Sequence, residues 1–417
     1  MNPVVVIGAG PIGLAAAAHL IERGLEPLVL EAGDHVGAAV SEWGHIRLFS
    51  PWRYVLDAAS VRLLQSQGWE APRPAALPTG ADLVAEYLQP LAAVPQLAGR
   101  IRTGHRAVAI TRGHRDKTHD RAGVPFQVRV RTSEGAADLS AAAVIDASGT
   151  WGSPNPVGAG GIPAAGEDEP EVAQRMLGSL PDVLGADRDR TAGKHVMVLG
   201  AGHSAVNTML NLAALKRAEP SATITWALRA DSPERSYGGG DADGLPERGA
   251  LGERLRRVVE AGIVDLITSA EVHQLAVTAS GRLAVQFRDG RSTEVDALAG
   301  ATEFRPELQL LRELRTELDP AVEAPSRLAP LIDPALHSCG TVPAHGAEVL
   351  AHPEEGFFIA GMKSYGRAPT FLLATGYEQV RSIAAHLAGE DSTPQDLNLP
   401  ETGVCSAADA GPAVVGR

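Results

Sequence analysis

The sequence predicts an α/β chain carrying two doubly wound nucleotide-binding units in one polypeptide. Two observations predict it. A short apolar strand runs into a glycine-rich turn and a helix at the start of the chain, and the same strand–turn–helix pattern recurs from residue 195. A length of 417 residues suits two or three domains with sizeable cores.

The first unit opens with PVVVI at residues 3–7, a β-branched run suited to a buried parallel strand. GAGPIG at 8–13 follows, then a helical run from Leu14 to Arg23 that Gly24 stops. A second apolar strand, Pro27 to Leu30, ends in Glu31. In Gly8-x-Gly10-x-x-Gly13, Gly8 permits the tight turn, Gly10 lets backbone approach a diphosphate, and Gly13 lets helix and strand pack closely. Pro11 falls inside the same turn. The helix N-terminus offers free N–H groups to the diphosphate. Glu31, 18 residues beyond Gly13, stands where a carboxylate accepts hydrogen bonds from an adenosine ribose.

Residues 41–56 read as a structured loop rich in Trp, Arg and Ser, and the proline-rich stretch 70–80 leads to a helix near 81–93. Short alternating runs between 104 and 150 predict a small antiparallel insertion and a return strand. Residues 151–190, dense in Gly, Pro and acidic groups, read as a crossover, with Glu167-Asp168-Glu169 a solvated charge run.

The second unit starts at HVMVLGAGHSAVNTML, residues 195–210, where Gly200-x-Gly202-x-x-Ala205 carries Ala at the permitted third position. Its partner strand, 223–229, ends in Arg229 instead of an acid, and a guanidinium there can meet a 2′-phosphate. A ribose acid in one fold and an arginine in the other imply two different nucleotides: a tightly held FAD and a transient NADPH.

Composition narrows the partners. A net charge of −13 disfavours nucleic acid and a polybasic membrane anchor. Only Cys339 and Cys405 occur, with no CxxC pair, so neither a redox dithiol nor a cysteine zinc site is expected, and His337, His345 and His352 have no metal-site spacing. No apolar stretch is long enough to span a membrane and the apolar start lacks a basic n-region, so a cytoplasmic location is expected.

The order of GAGPIG, IDASGTWGSPNP, VLGAGHSA, GATEFRP and GFFIAG resembles two-dinucleotide-binding flavoproteins, and within them flavin-containing monooxygenase-like proteins, over about residues 1–390. LFSPWRY, GHSAVNT and KSYGRAPTFLLATGYEQV are also similar to flavoproteins of bacterial arsenic-resistance clusters. The resemblance implies two Rossmann-like three-layer domains, the FAD domain discontinuous and the NADPH domain inserted. The expected boundaries are 1–155 and 301–390 for FAD, 156–192 for a linker, 193–300 for NADPH, and 391–417 for a flexible tail. It implies Gly8, Gly10, Gly13, Glu31, Gly149 and Gly361 around FAD, and Gly200, Gly202, His203, Ser204, Ala205 and Arg229 around NADPH.

It also implies an oxygenase acting on a small soft nucleophile with O₂ through a peroxyflavin. Residues 165–194 hold no His or Phe, so the FxGxxxH segment usual before the second turn is missing, which keeps a simple NADPH-dependent reductase open. A non-enzymatic nucleotide-sensing or interaction protein is the third reading, disfavoured because a sensor without FAD would tolerate loss of the glycine motifs and of Glu31, which are intact. Candidate residues at the chemistry are Arg47 and Trp52 beside the ring, Asn207 one turn into the second helix, and Lys363 after the late strand; the alternatives are a packed loop for the first two, a local hydrogen bond for Asn207, and solvent contact for Lys363. Cys339 reads as a small buried hydrophobe rather than a thiol for a soft substrate.

Overall fold

The computed structural model describes residues 2–238, 246–333, 342–369 and 371–397. His337, Cys339 and Cys405 lie outside them, and so do the readings placed on them.

The first stretch holds β1 (Val4–Ile7), α1 (Pro11–Glu22), β2 (Pro27–Leu30), α2 (Ala58–Gln65), β3 (Ile101–Arg102), β4 (Arg106–Arg112), β5 (Phe126–Thr132), β6 (Gly135–Ala141) and β7 (Ala143–Asp146). Next come β8 (Met176–Leu177), β9 (His195–Leu199), α3 (His203–Ala218), β10 (Thr223–Ala227), α4 (Pro246–Glu260), β11 (Asp265–Ile267), β12 (Val272–Val277), β13 (Leu283–Phe287), β14 (Ser292–Val295) and β15 (Ala297–Gly300). The last stretch supplies β16 (Phe357–Ile359) and α5 (Leu373–Leu387).

These elements form two compact units. One combines the chain up to Ser153 with the chain from Arg305, and the other is Pro154–Phe304. The first dinucleotide fold is therefore discontinuous and the second is inserted into it.

The first unit is built on a parallel sheet of order β16-β7-β1-β2-β3. Every residue of β1 and β7 is buried, as strands covered on both faces require. Val5 and Val6 are fully buried, each side chain contributing about 1.5–3 kcal/mol by leaving water. α1 is an alanine run, a strong helix former whose small side chains permit close approach from several sides. It is buried without a break from Ile12 to Leu20 between β1, α2 and α5. A Cβ on Gly376 of α5 would lie 2.5 Å from Ile12 Cδ1, so glycine sets that spacing.

The antiparallel insertion is β4-β5-β6, with Phe126, Val128 and Val130 turned inward along β5. Its buried Arg112 and Arg121 meet the buried Glu354 at 3.0 and 2.8 Å, which ties the insertion to the returning chain.

The second unit repeats the plan with a parallel sheet of order β11-β10-β9-β15-β8 and an antiparallel β12-β13-β14 layer. Residues 156–192, expected as a crossover, contribute β8 to this sheet through Met176 beside Leu298. Glu167 of the acidic run is not simply solvated: its carboxylate accepts the Val157 and Ala164 N–H groups at 2.8 and 2.7 Å and closes a loop.

Candidate functional site: two glycine turns at two sheet edges

Parallel register brings the carboxyl ends of four strands, β2, β1, β7 and β16, together in the first unit. Ile7 lies beside Leu30 and Asp146, and Asp146 beside Ile359. The Gly8–Gly13 turn, Gly149 and Gly361 thus leave one sheet edge, the place where open α/β sheets bind ligands.

Gly8 has φ +99°, which glycine alone adopts readily, and a Cβ there would press on the Ala147 carbonyl at 2.7 Å. At Gly13 a Cβ would sit 1.8 Å from the Gly8 carbonyl oxygen, so no other residue fits. Gly10 differs: nothing stands within 4 Å of its Cβ position. That open space faces the start of α1, where Gly10 caps without a side chain and Pro11 takes the first helical position. Glu31 leans into the turn, its two carboxylate oxygens accepting Ala9 N–H at 2.7 Å and Gly33 N–H at 2.8 Å. A carboxylate has further lone pairs for ribose hydroxyls. Gly149, φ +69°, also leaves open space at its Cβ position.

Lys363 and Asp146 change the expected picture of the late strand. Lys363 does not extend into solvent: its ammonium is fully buried and donates to Asp146 Oδ2 at 2.6 Å and to Ser148 Oγ at 3.2 Å. Ser148 in turn donates its hydroxyl to Asp146 Oδ1 at 2.6 Å. Tyr365 is buried against Phe371, and Arg367 pairs with Glu323 at 3.0 Å. Gly361, φ +71°, gives its N–H to Gln379 Oε1 at 2.8 Å. Gln379 Nε2 donates to Ser364 Oγ and His345 Nε2, each at 2.9 Å, while His345 Nδ1 donates to the Pro343 carbonyl. Burial holds the pKa of that imidazole below its ordinary value, in keeping with a neutral ring that accepts from Gln379.

Arg47 is exposed and donates to the Leu77 carbonyl at 3.2 Å. Trp52, 3% exposed, packs into the core of the first unit. Its backbone N–H meets the Ala76 carbonyl, so the Trp-rich loop and the proline-rich stretch pair as one ribbon.

In the second unit Leu199 lies beside Ala227 and Gly300, so the Gly200 turn, Arg229 and Glu303 leave one edge. Gly200 has φ +129° and backs onto the Ala301 carbonyl, and Trp226 Nε1 donates to the Gly200 carbonyl at 2.8 Å. Gly202 caps α3 without a side chain, with His203 exposed at the first position, Ser204 half-buried and Ala205 fully buried. Asn207 donates to the His203 carbonyl at 2.9 Å, the local bond that was its alternative reading. Arg229 is exposed two residues beyond β10.

Sequence reading passed over Asp146, Gln379 and Glu303. Asp146 lies in the IDASG turn and Gln379 in the late GYEQV stretch, but nothing local tells that their side chains turn toward Lys363 and Gly361. GATEFRP did hold a signal for Glu303, because a strand-exit turn asks for glycine and holds glutamate instead.

The profile of the family described as pyridine nucleotide-disulphide oxidoreductase matches residues 5–326. No curated protein matches the chain. Among solved structures it is similar to the bacillithiol disulfide reductase Bdr (YpdA) from Bacillus cereus, with TM-score 0.69, 19% identity, and coverage of 93% of this chain and 99% of the other. It is similar to DfoA, the cadaverine monooxygenase of desferrioxamine biosynthesis from Erwinia amylovora, solved with FAD, with TM-score 0.62, 14% identity and coverage of 96% and 98%. A flavin-containing monooxygenase from Stenotrophomonas maltophilia gives TM-score 0.55, 20% identity and coverage of 93% and 98%. At these identities the likeness is one of fold.

Proposed function

The chain belongs to the pyridine nucleotide-disulphide oxidoreductase family, and from that premise we propose that it is an FAD-dependent NADPH oxidoreductase acting on a small molecule. One observation carries the reading: two glycine turns leave two parallel sheets, one with a carboxylate at the neighbouring strand end and the other with a guanidinium.

The residues of the first unit fit FAD. Gly10 leaves room for a diphosphate against the uncapped N-terminus of α1, and Pro11 pre-sets the first turn. Glu31 is held by two backbone N–H groups in the position to accept ribose hydroxyls. Gly149 and Gly361 keep backbone close at the same edge. The second unit fits NADPH, with Gly200, Gly202, His203, Ser204 and Ala205 at the start of α3 and Arg229 toward a 2′-phosphate. FAD supplies two-electron redox chemistry when bound, with NADPH the source of electrons.

The favoured reaction is oxygenation of a small soft nucleophile: substrate, O₂, NADPH and a proton give oxygenated substrate, NADP⁺ and water. Arg47 offers an exposed cation for an anionic substrate, while Trp52 stiffens the loop that carries it. Lys363 and Asn207, each satisfied inside its own unit, act as supports rather than as reacting groups. A reductase without oxygenation is the second reading, favoured by the lack of His and Phe in 165–194; with no CxxC pair in the sequence, it would not work through a CxxC dithiol.

The deciding experiment follows NADPH oxidation by the purified flavoprotein under ¹⁸O₂ with a thioether as trial nucleophile. Labelled sulfoxide establishes oxygenation. NADPH oxidation that yields hydrogen peroxide and no label with any thioether or thiol tried leaves the reductase reading. Protein without flavin absorbance, or flavin that NADPH does not bleach, overturns the proposal.

A further inference from the structure

Glu303 has φ +67°, in the left-handed region that a glutamate adopts only at a cost. The surrounding backbone enforces it. Glu303 C=O accepts the Asn155 N–H at 2.9 Å, Asn155 Nδ2 donates to the Thr302 carbonyl at 2.8 Å, and Thr302 Oγ1 donates to the Asn155 carbonyl at 2.7 Å. This clamp turns the Glu303 side chain toward the second glycine turn. Its Oε1 lies 4.0 Å from the point a Cβ on Gly202 would occupy. Gly202 lacks a side chain so that an anion can come close to the uncapped N-terminus of α3. The glutamate carboxylate therefore stands on the side of the second turn that Gly202 leaves open.

Arg229, at the end of the neighbouring strand, favours the ionised form of Glu303. Packing around the carboxyl does the opposite, and this desolvation is the larger effect: the pKa is raised above the usual carboxylate value although the residue as a whole is exposed.

Resting on the reading that this turn takes NADPH, we propose that the Glu303 carboxylate is a built-in competitor for the diphosphate of the nucleotide. It occupies the anion position at Gly202 in the free enzyme and must swing aside for a dinucleotide to bind. Two anions cannot share the helix N-terminus and the field of Arg229 without repulsion, so the side chain weakens binding of the nucleotide and speeds its release. A donor that leaves after each turnover is served by weak binding, whereas in the first turn no carboxylate among the described residues comes within 4 Å of the corresponding point at Gly10, and Glu31 is turned onto backbone N–H groups.

The test is titration of the FAD-loaded enzyme with NADP⁺, which binds without turnover, in wild type, E303Q and E303G. E303Q keeps shape and backbone strain but removes the charge, and its Kd for NADP⁺ should fall about tenfold. E303G removes charge and strain together, should bind at least as tightly, and should melt at a higher temperature without ligand, since glycine accepts φ +67°. Stopped-flow displacement should show the gain mainly as slower dissociation. Wild type that binds NADP⁺ while E303Q binds it no better, or more weakly, overturns the competitor role and makes Glu303 neutral or a ligand of the nucleotide. Failure of both wild type and E303Q to bind NADP⁺ overturns the nucleotide assignment of the second turn, and the proposal with it.

Discussion

Replacing Lys363 by methionine isolates the charge at the heart of the first unit. The side chain keeps its reach, and the ammonium that meets Asp146 at 2.6 Å is lost. Both partners have 0% side-chain exposure, so the Asp146 carboxylate would be left in the interior with only Ser148 to solvate it. Removing one partner of a buried pair costs about 3–5 kcal/mol, because an uncompensated charge stays buried. At about 2–4 °C per kcal/mol for a unit of this size, the melting temperature should fall by about 6–20 °C. The double variant K363M/D146N removes the stranded charge and should recover most of that loss. Thermal unfolding by circular dichroism at saturating FAD measures both proteins. A loss below about 1 kcal/mol in the single variant, or a double variant no better than the single, would refute the argument that the pair is held by mutual compensation.

Three further outcomes are expected. Glu31→Ala removes a carboxylate that holds two turn N–H groups at 2.7 and 2.8 Å; at about 1.5–3 kcal/mol per charge-assisted bond, flavin occupancy from the absorbance ratio should drop at least tenfold at limiting FAD, and fully yellow protein would remove the role. Arg229→Ala should raise KM for NADPH at least tenfold more than KM for NADH, and equal changes in steady-state assays would show that the guanidinium does not read the 2′-phosphate. Burial lowers the pKa of His352 from 6.5 to about 4, with Nδ1 accepting the Glu317 N–H at 3.3 Å. The unfolded chain therefore takes up the proton first as pH falls, so the stabilisation is complete above pH 6.5 and is lost toward pH 4, by about 3 kcal/mol in all. His352→Phe should flatten that part of the stability-against-pH curve, and an unchanged slope would place the titration elsewhere.

The two glycine turns were legible in the order of residues. Glycine is demanded at Gly8, Gly13 and Gly200 by positive φ or by backbone contact within the turn's own strand–helix unit, and β1 and β9 announce themselves as unbroken apolar runs. These are local constraints, so spacing along the chain carries them. The antiparallel insertion was legible for the same reason, through the alternation of β5. Tertiary structure alone decided the rest. Lys363 and Asp146 are 217 residues apart and meet only because β7 and β16 pair, which turned an expected free cation into a buried ion pair. Trp52 was readable as a pocket wall or a packed residue until the proline ribbon was seen to cover its loop. The stretch 156–192 looked like a linker because β8 is too short to show a period, and only its pairing with β15 makes it part of a sheet. Glu303 took its meaning from a backbone angle and from Gly202, a residue far away in sequence, since strain and close approach are properties of the folded chain and not of its order.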